Sequence, residues 1–226
     1  MKQDLTKTRN TFAGVHYTTQ HTAKMAGVLS LSTDINTNAI CQGRRKIAGS
    51  VCSVCFSARM WNNETGRYRN VNAAFVRNTE ILCGRLLKDE EIPVIDPAVW
   101  PVFRFEAYAD LQNVTQVLNY FKIARKNPGV KFALFTKNPG FISRAVVVAQ
   151  VPANLQIVLS SMGLNKPANG ERFPFVSKVF TVYDNATIDR DGVQINCGAR
   201  SCKGCQLCYK PNPDGVRVMQ VRERVK

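Results

Sequence analysis

The chain has 226 residues, 45% hydrophobic and 21% charged, enough for a domain with a proper core, so no disulfide scaffold is needed to account for it. Thirty-one Lys and Arg stand against 16 Asp and Glu, a formal charge of +15, which points to an anionic partner, a nucleic acid or nucleotide, rather than to a merely basic surface. No apolar run reaches the roughly 18 residues of a membrane span, and the polar opening MKQDLTKTRNTF predicts no signal peptide, no membrane partner and a cytoplasmic location.

Residues 1–25 are polar and rich in threonine and are expected to be irregular, with His16 and His21 exposed. VLSLST, residues 28–33, reads as a first strand. The stretch DINTNAICQGRRKIAGS reads as a loop carrying Cys41 and the basic triplet Arg44, Arg45 and Lys46. VCSVCFSARM follows, with Cys52 and Cys55. From Arg67 to Leu87 the pattern is helical, with Tyr68, Val71, Phe75, Leu82 and Leu86 on one face. Cys83, on that helix, is expected to be a small buried hydrophobe.

The proline-punctuated DEEIPVIDPAVWP leads into VFRFEAY, residues 102–108, a second strand. Asp110 is placed to cap a helix whose apolar face is Leu111, Val114, Val117, Leu118 and Phe121, stopped at Asn127-Pro128-Gly129. VKFALFT, residues 130–136, is apolar enough to be a strand buried on both faces. Pro139 opens a helix expected to run through Ala149, and LQIVLSS, residues 155–161, is another buried strand. SKVFTVY is a further strand, YDNATIDRDG a turn region, and PNPDGVRVMQVRERVK a late strand or a tail.

Strands alternating with helices build a parallel sheet with right-handed crossovers. The predicted fold is therefore α/β, a partial (β/α) barrel or an open, mostly parallel sheet. One domain is expected, with residues 28–196 as the core and 197–226 as a cysteine segment and basic tail.

The cysteines carry the chemistry. CGARSCKGCQLC places Cys197, Cys202, Cys205 and Cys208 at C-x4-C-x2-C-x2-C. Thiolates at such spacing converge on one centre, and a C-x2-C-x2-C run serves iron–sulfur clusters, whereas neighbouring C-x-x-C disulfides would be strained. Cys41, Cys52 and Cys55, at C-x10-C-x2-C, are one ligand short of a closed zinc site. Three thiolates fit a 4Fe–4S cluster with one iron left open, as in radical S-adenosylmethionine enzymes, although their usual spacing is C-x3-C-x2-C. Zinc at both groups is the alternative.

In α/β folds the chemistry gathers at the carboxyl ends of the strands. The polar residues expected there are Glu106, Asp110 and Lys137 as catalytic candidates, with Arg104, Ser160 and Ser161 as cofactor-binding ones. Arg104 and Glu106, two apart, are expected to share a strand face. Each has a bland alternative: Asp110 as a helix cap, Glu106 and Lys137 as a salt bridge, the serines as strand-end hydrogen bonders. No G-x-G-x-x-G occurs, and GRRKIAGS lacks the spacing of a phosphate loop.

The ordered set CSVCFSARM, FRFEAYADLQN, NPGVKFALFTKNP, LSSMG and CGARSCKGCQLCY resembles the phage gene product 88 family and its bacterial relatives, over residues 28 to 209. One departure is Ala109, where the family usually has glycine. The resemblance implies a phage or prophage protein with two cysteine groups at the ends of an α/β domain, iron–sulfur or radical-SAM-like in kind. It carries no established reaction. The expectation is an iron–sulfur enzyme acting on a nucleic acid or nucleotide, with S-adenosylmethionine as a candidate cofactor. The alternative is a zinc-stapled nucleic-acid-binding or accessory protein without catalysis.

Overall fold

A computed structural model describes residues 5–6, 9–61 and 69–225. A short antiparallel hairpin comes first, β1 (Thr11–Phe12) and β2 (Val15–His16). Its two turn residues, Ala13 and Gly14, have φ of 47° and 81°, the left-handed pair that a two-residue hairpin turn demands.

Six parallel strands follow: β3 (Leu29–Leu31), β4 (Val102–Phe105), β5 (Lys131–Thr136), β6 (Leu155–Ser160), β7 (Lys178–Tyr183) and β8 (Met219–Arg224). They pair in the order of the chain, β3-β4-β5-β6-β7-β8, every neighbour parallel. A doubly wound sheet reverses direction partway along. Sequential order with right-handed crossovers keeps the crossover helices on one side, the winding of a partly completed barrel.

Helices α1 (Ala39–Arg45), α2 (Phe56–Trp61) and α3 (Arg69–Gly84) lie between β3 and β4, α4 (Val114–Lys126) and α5 (Pro139–Ala145) follow β4 and β5, and α6 (Asn185–Asp191) and α7 (Cys202–Cys205) lie between β7 and β8. Strand alternation sorts the core into two layers. Phe103, Phe105, Phe132, Leu134, Ile157, Leu159 and Val179 pack under α4 and α5 against Val117, Tyr120, Phe121, Ile142 and Ala145. The Phe105 ring stacks on Tyr120 at 4.2 Å and on Phe132 at 5.3 Å. Val28, Val102, Ala133, Phe135 and Val158 face the other way.

With α4 and α5 on one side, the second face needs its own cover. Tyr209, 3% exposed, lies on it with Met25, Phe180, Cys202 and Cys208. Both faces of the central strands are thus buried, as the apolar runs at 130–136 and 155–161 predict.

Several elements differ from expectation for local reasons. The basic triplet and Cys41 lie on or beside helix α1, not in a loop: Asn38 caps it by accepting from the Ile40 and Cys41 amides. Asn113, not Asp110, caps α4. Helix α3 ends at Gly84, so Leu86 is exposed and Leu87 takes the buried place; Tyr68 lies outside the described residues. Cys83 is half-buried rather than buried. Helix α5 stops at Ala145 rather than Ala149, where a run of three valines disfavours helix. The expected turn at 183–192 holds α6, capped by Asp184 at one end and by left-handed Gly192 (φ 61°) at the other. The C-terminal stretch is strand β8, the sheet's last.

Candidate functional site

The N-terminal cysteines gather at the carboxyl ends of β3–β5. The clasp is Asp110. Its Oδ1 accepts from the Thr136 hydroxyl at 2.5 Å and the Leu111 amide at 2.8 Å. Its Oδ2 accepts from the Lys137 amide at 2.9 Å and from Arg44 Nη1 at 3.2 Å. Arg44 also donates to the Lys137 carbonyl, and the Asn38 amide donates to the Asp110 carbonyl. Both ends of α1 are therefore tied to the strand ends, and Cys41 with them. The ten residues between Cys41 and Cys52 are taken up by α1 and the turn after it.

The Cys52–Cys55 turn is held by its own backbone bond, Cys55 N to Cys52 O at 3.2 Å, and by Val51 donating to the Met162 carbonyl in the β6–β7 loop. Cys41 and Cys55 pack on the same small cluster of Ile35, Ala58 and Phe75. Burial pushes the Cys41 thiol up, and the charges of Asp110 and Glu106 push it further, with Lys137 opposing. The Cys52 thiol is raised by burial first, again against Lys137. The three cysteines, Asp110 and the Lys137 ammonium thus share one neighbourhood.

Glu106 is near enough for its charge to act on Cys41, but its carboxyl is engaged under α4. The strand ends at Phe105, and Glu106 adopts φ 52°, a left-handed conformation uncommon for a non-glycine residue. That turn defeats the two-residue alternation, so Glu106 and Arg104 do not share a side-chain environment. The Glu106 carboxylate, 2% exposed, is met by Tyr120 OH, by Gln116 Nε2 at 2.7 Å and by Thr33 Oγ1 at 3.1 Å. Burial raises its pKa to about 8 despite those donors. It is a buried carboxyl under α4 and makes no ion pair with Lys137 among the described residues.

The serines divide similarly. Ser161 Oγ is spent on Thr181 Oγ1 and the Ala168 amide, a loop anchor. Ser160 closes β6, buried, on the same face as Val158.

The C-terminal cysteines lie on the sheet face away from α4 and α5. Cys197, Cys202, Cys205 and Cys208 all line one cavity of ≈ 30 Å³ with Lys24 and Tyr209. Ser201 caps α7 and left-handed Gln206 (φ 55°) ends it, turning the chain back so that Cys208 returns beside Cys202. Lys24 donates to Cys197 Sγ at 3.0 Å, to the Cys197 carbonyl at 3.1 Å and to Glu223 at 2.7 Å. Burial, helped by the neighbouring Cys197, pushes the Cys208 thiol to about 12. Among the described residues, no three Cys, His, Asp or Glu side chains stand in a ready-made metal cage, so the grouping is one of neighbourhood rather than of coordination geometry.

Between the two cysteine groups lies a cavity of ≈ 280 Å³, lined by His21, Met25, Phe56, Met60, Arg104 and Tyr108 among others. Its residues went largely unread in the sequence. His21 is half-buried, not exposed: its ring nitrogens meet Ser30 Oγ at 2.8 Å and Tyr108 OH at 3.1 Å. Burial, with Arg104 nearby, lowers its pKa to about 4. His16 is half-buried too, with its pKa lowered by burial. Of this cavity Arg104 stands on β4 and Phe56 and Met60 on α2, while His21, Met25 and Tyr108 lie outside the strands and α-helices.

No described helix is long and apolar enough to cross a membrane. No curated protein and no solved structure matches the chain. The family model described as Gene product 88 matches residues 2–216, with both cysteine groups, the clasp and the whole sheet up to β8 inside the match. By that match the chain belongs to the Gene product 88 family.

Proposed function

We propose that this is an iron–sulfur protein, radical-SAM-like in its chemistry, acting on a nucleic acid or nucleotide of a phage or mobile element. Cys41, Cys52 and Cys55 would hold a 4Fe–4S cluster with one iron open, and Cys197, Cys202, Cys205 and Cys208 a second, fully ligated centre. One observation supports the open site above all. Asp110, the acidic residue beside Cys41 and Cys52, has both carboxylate oxygens engaged by Thr136, Leu111, Lys137 and Arg44, so it is not free to complete the set. Three thiols whose neighbouring Asp110 is already engaged suit an open cluster better than a closed zinc site.

When bound, such a cluster supplies an electron to a ligand on its exposed iron. The chain's own residues do the rest. Asp110 and Arg44 fix the helix that bears Cys41, Lys137 sets positive charge beside the thiols, and the basic surface draws in an anionic substrate. In the anaerobic, reduced protein, S-adenosylmethionine is expected to yield 5′-deoxyadenosine, and Cys55→Ala to abolish it. No product above the Cys55→Ala background would overturn the enzymatic reading.

A second reading is favoured by the small cavity that all four C-terminal thiols line: zinc there as a staple, on a protein that holds nucleic acid without turnover. Binding would then weaken steeply with salt as phosphate counterions return, with no 5′-deoxyadenosine formed; salt-independent binding would sink it.

A further inference from the structure

Arg104 rises from β4 on the sheet face away from α4 and α5, its guanidinium 3.9 Å from the centre of the Phe135 ring. Its Nε is buried and has no hydrogen-bond partner. Its Nη1 reaches only the sulfur of Met25, at 3.8 Å. Among the described residues no carboxylate pairs with it. Glu223 is taken by Lys24 and Asp110 by Arg44, and both nitrogens of neighbouring His21 are occupied. A half-buried cation with an unmet donor is costly unless something else completes it.

The cavity beside Arg104 can admit that something. At ≈ 280 Å³ it is at the small end of ligand pockets. Phe56 and Tyr108 bring aromatic rings to it, and Met25 and Met60 bring thioethers. Rings and polarizable sulfur suit a flat apolar body, and a guanidinium fork suits an oxyanion.

We propose that this cavity binds a small molecule with an oxyanion head, phosphate or carboxylate, on a flat apolar body of about nucleobase or indole size, the oxyanion pairing with Arg104. The site rests on the proposed function only for its use, as the place of a substrate or co-substrate; its existence follows from Arg104 and the cavity. Phosphate and carboxylate present the same paired oxygens to the fork, so the test separates them.

The test is calorimetric titration of the full chain with two pairs of probes: adenosine 5′-monophosphate against adenosine, and indole-3-acetate against indole. At least one anionic member is expected to bind ten-fold or more tightly than its neutral partner, and the responding pair names the head group. Arg104→Met, which keeps length and apolar contact with Phe135, is expected to reduce that preference to within two-fold. Phe56→Ala, at a position 65% exposed where folding is not at stake, is expected to weaken both members of the pair alike. Charge preference in neither pair, or preference that survives Arg104→Met, overturns the proposal. So does a loss of bound metal in Arg104→Met with preference intact, since Arg104 would then be the counter-charge of the C-terminal thiols. Unchanged affinities in Phe56→Ala overturn the assignment of the cavity. A chain without iron that passes these tests keeps the pocket and loses the enzyme; iron without charge preference does the reverse.

Discussion

Asp110 and Arg44 meet at 3.2 Å, with side chains 8% and 21% exposed, and the pair ties helix α1 to the ends of β4 and β5. The cysteine loop is thereby referred to the rigid part of the molecule. Asp110→Ala would leave Arg44 facing two strand ends without its counter-charge and strand the Lys137 amide. A loss of about 3 kcal/mol is expected for breaking a partly buried pair of this kind, read by denaturant unfolding. Arg44→Met should cost less, because Asp110 keeps its three neutral donors. Equal costs would show that the ion pair, not the carboxylate's wider role, dominates the clasp.

Glu106 makes stability depend on pH in a definite direction. Burial raises its pKa to about 8, above the ordinary value near 4.5, so the folded chain holds a proton that the unfolded chain has lost across that interval. Its contribution is complete below the ordinary value and is lost as pH rises toward 8, at up to about 1.4 kcal/mol per pH unit. Glu106→Gln should flatten this slope while leaving metal content unchanged. An identical slope in the variant would mean that Glu106 titrates normally.

The two cysteine groups should differ in what their loss does to the fold. Cys202 and Cys208 cover the sheet face that α4 and α5 leave open, whereas Cys52 and Cys55 sit in a turn beyond the strand ends. In metal-free protein, replacing Cys202 and Cys208 together by serine should lower the melting temperature, by roughly 2 kcal/mol of lost burial. The same change at Cys52 and Cys55 should lower it much less. A reversed order would place the C-terminal segment off the sheet.

Much of this fold is legible in the sequence because its strands are buried on both sides. LQIVLS at 155–160 and KFALFT at 131–136 are nearly continuous apolar runs, and each is a strand. Short polar helices are not legible in that way. NATIDRD carries no apolar stripe, and only its caps, Asp184 and Gly192, mark it as helix. The cysteine groups are legible by spacing, and the neighbourhood of Cys41 with Asp110 and Lys137 follows from strand-end logic. Glu106 misleads because alternation fails where a backbone turns left-handed, and nothing in FRFEAY announces φ 52°. His21 and Met25 reach their cavity from the N-terminal segment and a single 3-10 turn, and Tyr108 from beyond Phe105, where the expected strand has already ended, so no strand or α-helical period tells which way they point.

The proposed function requires that Cys41, Cys52 and Cys55 hold an iron–sulfur cluster separate from the C-terminal centre. The most direct measurement is iron, zinc and acid-labile sulfide per chain, on protein purified without oxygen, for the native sequence and for the Cys52→Ala/Cys55→Ala double variant. About eight iron and eight sulfide per chain are expected, falling to about four of each in the variant, since each 4Fe–4S cluster carries four of each and the C-terminal four-thiol site is untouched. One or two zinc ions without sulfide, or iron that the variant leaves unchanged, would contradict it.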